Sequence, residues 1–205
     1  MQFDDEISGR GAATGRVAET SRGWPAGERR DASSLAAEFA AAAATGDVAG
    51  LLRLVDDLDL CAGAWEQAMR RIGQLASVAD DIRAAFAEIW LLHRTLPLEV
   101  GNRAVLARAL TVLLPAAAPA GPARVFRGTS PEELHDRSFG FSWVTDVEVA
   151  RGQAAALQRS GGAGIVLEAI APAEAMLFVY AGGAAGEAEI VVDPFRLGPV
   201  KATES

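Results

Sequence analysis

The chain has 205 residues, half of them apolar and 6% aromatic, with 27 acidic side chains against 19 basic ones, two histidines and one cysteine. A net charge of −8 sets up a field that repels phosphate, which argues against a nucleic-acid or anionic-membrane binder. Cys61 alone cannot close an internal disulfide. So few histidines and cysteines argue against a structural zinc site or a metal cofactor, and the alanine-rich apolar stretches are too interrupted to span a bilayer.

Residues 1–30 mix Gly, Arg, Ser, Thr and acids with no apolar period, and read as a disordered or loosely attached tail. Asp4, Asp5 and Glu6 with no apolar run after them do not make a secretory signal. The expectation is a cytoplasmic protein, with delivery into another cell left open.

Residues 31–115 read as helices. Asp31 is placed to cap a first helix carrying Leu35 and Phe39, and Gly46 ends it. Asp47 caps a second, with Leu51, Leu54, Val55 and Leu58 on one face. A third starts near Ala64 and carries Trp65, Met69 and Ile72. The fourth has a capping-box-like start at Ser77 and Asp80, then one stripe of Val78, Ile82, Phe86, Ile89, Trp90 and His93. Pro97 interrupts, and a fifth helix over 102–114 ends at Pro115.

An Ala/Pro/Gly linker over 116–122 changes the texture. Short β-like runs follow at 124–127, 141–145, 164–170, 176–180 and 189–192, with one helix over 147–159 between the second and third. Helices first and strands after read as an α+β chain, divided at the linker.

Three polar features stand out in the second half. Arg127 ends a strand-like run in Val-Phe-Arg-Gly, where its rigid fork of donors suits phosphate or carboxylate and Gly128 permits close backbone approach. Taken alone, a pairing with a carboxylate at the core edge explains Arg127 equally. Gly140-Phe141-Ser142-Trp143 puts a hydroxyl and a flat aromatic surface at a strand end, and Thr145 or Asp146 then caps the helix. Glu187 and Glu189, two apart in a strand, face the same side. With 15 glutamates in the chain, about one Glu-x-Glu arises by chance, so that pair alone carries nothing.

The order of these features carries more. Leu113-Leu114-Pro115, Arg127-Gly128, Ser142-Trp143, an alanine-containing helix and Glu187-x-Glu189 running on to Asp193-Pro194 resemble the R-S-E group of ADP-ribosyltransferases. That group includes the cholera-toxin-like and arginine-specific mono-ADP-ribosyltransferases, and the likeness is nearest to short bacterial and phage-borne members. It covers residues 122–200, extended to about 102 by the leucine-rich helix.

The resemblance implies a C-terminal split β-sandwich of two small sheets, with an NAD cleft between them and the helical part packed on it. It implies that Arg127 grips NAD, that the Gly128 backbone bonds the nicotinamide amide, and that Ser142 positions Glu189. Glu189 would bond the ribose 2′-hydroxyl and stabilise the oxocarbenium, and Glu187 would orient or deprotonate the acceptor, an arginine in the family. Trp143, Phe178 or Tyr180 would stack on nicotinamide, with core packing the competing reading for Phe178. NAD is thus the expected cosubstrate and a target protein the expected partner. The chain departs from the family at Val144, at Gln153-Ala154, and in the bare Ala-Gly-Gly-Ala-Ala-Gly of 181–186. An NAD glycohydrolase and a non-catalytic interaction module that keeps the fold are the alternatives.

Overall fold

In the computed structural model, which describes residues 31–116, 121–180 and 188–203, each aspartate placed to start a helix does so. The expected tail over 1–30 lies outside the described residues. The Asp31 carboxylate accepts the Ser34 N–H and opens α1 (Ala32–Thr45), and Gly46 closes it in the left-handed region at φ 79°. Asp47 caps α2 (Val48–Asp59) in the same way. Next come α3 (Ala64–Ile72), α4 (Asp80–Leu92), a short α5 (Leu96–Val100) and α6 (Arg103–Leu113), the last capped by Asn102. Two details differ from expectation. The residue before α4 is Ala79, with no side-chain cap. Pro97 does not merely interrupt, because it lies in the first turn of α5, where its missing N–H costs nothing.

The second half supplies β1 (Ala123–Thr129), α7 (Pro131–His135), β2 (Ser142–Val144), α8 (Val147–Arg159), β3 (Ile165–Ala171), β4 (Met176–Tyr180), β5 (Glu189–Val192) and β6 (Lys201–Ala202). α7 and β6 are too short to show a period in the sequence. The six strands form one antiparallel sheet in the order β4-β5-β2-β1-β3-β6. The chain is therefore α+β, as expected, but its strands are one connected sheet and not two separate ones. The connection is narrow. β1 and β3 pair over seven residues, whereas β1 and β2 meet at one pair, Phe126↔Val144.

A single apolar cluster spans both halves. Phe39, Trp65, Phe86, Ile82 and Leu110 from the helices are fully buried together with Phe141 and Val191 from the sheet region. Burial of each such side chain contributes roughly 1.5–3 kcal/mol, so the helical part is fixed to the β2–β5 end of the sheet. α8 covers β1 and β3, its Ala150 packing with Phe126 of β1 and Val144 of β2. On the opposite face Trp143, Val125, Leu167 and Ile190 form a further core. Among the described residues no helix is long and apolar enough to cross a membrane.

At Gly128 the backbone of α8 lies hard against β1. A Cβ there would stand 2.6 Å from the Ala154 nitrogen and closer still to the Ala150 carbonyl. Gly128→Ala is expected to cost about 3 kcal/mol by overpacking, whereas Gly152→Ala, on the open side of the same helix, should be neutral or stabilising by up to about 1 kcal/mol. Urea unfolding of the two variants checks both.

Glu168 on β3 accepts Arg124 Nε at 2.9 Å and faces Lys201 Nζ at 3.7 Å, tying β1, β3 and β6 together. The Arg124 hydrogen bond is the main cause that lowers its pKa. A carboxylate with a folded-state pKa below the unfolded value stabilises above the unfolded pKa, and that contribution fades as pH falls through the folded one. Glu168→Gln should therefore flatten the decline of thermal stability below about pH 4.5, read from melting curves of both proteins between pH 3 and 7.

Candidate functional site

Beyond Phe126↔Val144 the register would set Gly128 opposite Ser142, yet the two do not pair. The Gly128 N–H donates instead to Gln153 Oε1 on α8 at 3.1 Å, and the Ser142 carbonyl accepts Arg127 Nη1 at 2.8 Å. Two side chains thus take the backbone groups facing the gap, and β1 and β2 part. A cavity of about 590 Å³ opens there, lined by Arg94, Arg127, Gly128, Thr129, Ser142, Val144, Gln153 and Glu189 among others. That volume lies within the range of small-molecule sites, about 300–1,000 Å³. A hollow of equal volume between α1 and α2, lined by Glu38, Asp47, Arg53 and Asp57 among others, gathers none of the expected residues.

Arg127, Gly128, Ser142 and Glu189 come together in this cavity from three strands. Arg127 is three-quarters buried and held by Glu133 of α7, with Nε to Oε1 at 2.8 Å. Glu133 also accepts the Gly140 N–H at 2.6 Å and the Thr129 hydroxyl. The bland reading of Arg127, pairing with a core-edge carboxylate, is therefore met in full. Gly128 has a packing reason for its missing side chain as well as an opening toward the cavity. Ser142 lies opposite Val191, and Glu189 opposite Val144, so Ser142 and Glu189 are diagonal neighbours on one face.

Trp143 also borders the cavity, but its side chain is fully buried in the far-face core, its Nε1 donating to the Gly140 carbonyl at 3.0 Å. Its ring presents no surface on which a ligand stacks, because the alternation that points Ser142 and Val144 to the cavity points Trp143 the other way. Tyr180 stands opposite Glu189 in the β4–β5 register. Phe178 packs against the helical core. Glu187 and the 181–186 segment lie outside the described residues.

The main surprise is Arg94, in the turn between α4 and α5. Its Nη1 donates to both Glu189 oxygens, at 2.7 and 2.8 Å. Glu189 is 16% exposed and Arg94 58%. Nothing in the local sequence marks Arg94, since it follows an apolar stripe and its partner is 95 positions away. Gln153, visible only as a departure from the family pattern, becomes the partner of Gly128, and Glu133 of Arg127. Beside Arg94, His93 caps α4 and shares a cluster with Asp59 and Glu99. Two of the three groups that converge there are carboxylates.

Chemically, the cavity offers a recessed carboxylate, a guanidinium three-quarters buried, and a backbone N–H at a strand end. All three are occupied by the protein's own groups, and a ligand that enters exchanges with them. Because Arg94 is more than half exposed, Arg94→Ala should cost no more than about 1 kcal/mol of stability, and less at 1 M salt; denaturant curves at two ionic strengths check this. Compared with known proteins, the chain matches no family model, no curated protein and no solved structure.

Proposed function

We propose that this chain is an NAD-dependent mono-ADP-ribosyltransferase that modifies a protein side chain, arginine foremost, and releases nicotinamide. The reading also takes the sheet region as an ADP-ribosyltransferase-like split sandwich, with the narrow β1–β2 contact as the line of the split. One observation carries it: Arg127, Gly128, Ser142 and Glu189, chosen for their order along the chain, line one cavity. A second supports it. The Gln153 carboxamide oxygen takes the Gly128 N–H, the bond that the resemblance gives to the carboxamide of nicotinamide.

In this reading NAD displaces three internal contacts. Gln153 gives up the Gly128 N–H to the nicotinamide amide, Glu133 gives up part of the Arg127 fork to the diphosphate or its adjoining ribose, and Arg94 gives up Glu189 to the ribose 2′-hydroxyl. The glycosidic bond then breaks, its electron pair leaving with nicotinamide and positive charge building on the sugar. A fixed carboxylate stabilises that charge more than the ground state, which is what acceleration requires. The acceptor nitrogen bonds the sugar carbon, and its proton passes to Glu187 or to solvent. With Trp143 buried, the remaining candidate for stacking is Tyr180, opposite Glu189 on β4 though outside the cavity lining.

A second reading, a non-catalytic interaction module, is favoured by the same pairings, since both Arg127 and Glu189 are already neutralised within the chain. Nicotinamide release from NAD by wild type and Glu189→Gln, with and without agmatine, decides between them. Release that rises with agmatine and falls at least a hundredfold in Glu189→Gln, as loss of an electrostatic transition-state partner does (about 10²–10³), is the expected result. Release that ignores agmatine favours a glycohydrolase, or a transferase whose own target agmatine does not mimic. NAD binding without release from either protein makes it the interaction module.

A further inference from the structure

Outside the cavity, three elements of the helical part converge on one imidazole. His93, at the C-cap of α4, has its Nε2 3.4 Å from Asp59 Oδ1 at the end of α2 and 3.4 Å from Glu99 Oε1 in α5. One donor atom from each of the three lies within 4.8 Å of the others. The imidazole is largely buried, with 16% of its side chain exposed. The Trp65 ring stands edge-on to it at 5.9 Å.

The two equal distances are informative. A proton shared between imidazole and carboxylate draws the heavy atoms to about 2.7–3.0 Å, and the single Nε2–H has one partner to choose. Neither carboxylate is at that distance. Donor atoms bound at about 2.0–2.2 Å to a tetrahedral cation stand about 3.3–3.6 Å apart, which is the separation seen on both sides of His93. The two oxygens that face His93 are themselves held in place by hydrogen bonds. Trp65 Nε1 donates to Asp59 Oδ1 at 2.6 Å, and the Thr95 hydroxyl donates to Glu99 Oε1 at 2.7 Å. Outer hydrogen bonds of this kind fix ligands and raise metal affinity.

We propose that Asp59, His93 and Glu99 form a binding site for a divalent cation of the Zn²⁺ or Co²⁺ class, with water in the fourth position. One imidazole nitrogen with two carboxylate oxygens suits that class, while Mg²⁺ demands octahedral oxygen coordination. The cation staples the ends of α2 and α4 to α5, one residue from Arg94. The site is independent of the proposed transferase reading, because no residue of the cavity supplies a ligand.

The test is calorimetric titration of the full chain with ZnCl₂, together with the visible spectrum on adding CoCl₂. The background is low, since the chain has two histidines and one cysteine. Wild type, His135→Ala and Cys61→Ser should bind one ion each, with tetrahedral Co²⁺ bands. His93→Ala and Asp59→Asn should lose the one-to-one site, and the milder Thr95→Val should weaken it about tenfold while keeping the fold. No stoichiometric binding by wild type overturns the proposal and leaves His93 as an ion-pair partner only. Binding unchanged in both Asp59→Asn and Thr95→Val, or lost instead in His135→Ala or Cys61→Ser, overturns it as well.

Discussion

The parting of β1 from β2 is the constraint on which the candidate site depends. Two strands that pair at one position would normally continue pairing, because each unpaired backbone group left dry costs about 1–3 kcal/mol. Here Gln153 and Arg127 take the two groups that face the gap, so the strands separate without orphaning them. Arg127 is held in turn by Glu133 and Gln153 by α8, which lies against Gly128. Hence a turn of α7, a helix face and a glycine all act on one opening in the sheet.

The charges around that opening form two closed pairs. Arg127 with Glu133 is internal to the sheet region, and Arg94 with Glu189 joins the helical part to β5. Each is largely compensated before any ligand arrives, so binding is an exchange of partners and not the capture of a bare charge. That keeps a recessed carboxylate affordable within an acidic chain. A ligand at this cavity would have to meet both the fork of Arg127 and the oxygens of Glu189 to offset the loss of the internal pairs.

Helices and strands with clear periods were legible in the sequence. α8 over 147–159 and β5 over 189–192 have the expected bounds, because a strong cap at Asp146 and an Ile-Val-Val run declare themselves locally. α5, α7 and β6, of five, five and two residues, leave no period in the sequence. The sheet's connectivity was not legible either, since a single bridge, Phe126↔Val144, decides between one sheet and two. In the site, the residues near a Gly or a strand end could be picked out: Arg127, Gly128, Ser142, Glu189. Their partners could not. Arg94, Glu133 and Gln153 belong to segments with no motif, and only the fold brings them within hydrogen-bond distance. Trp143 failed as a stacking surface for a simple reason: the neighbours of an inward-pointing serine point outward, into the far-face core.

The apolar cluster that runs from Phe39 and Phe86 to Phe141 and Val191 bears on which piece of this chain evolution can move. The alanine-proline linker looks like a place to cut, but a fragment ending there would strip cover from Phe141 and Val191 and take away the guanidinium opposite Glu189. Neither half has a finished interior of its own. The helical part and the sheet region therefore share one interior, and side-chain volumes on one side of the linker constrain those on the other.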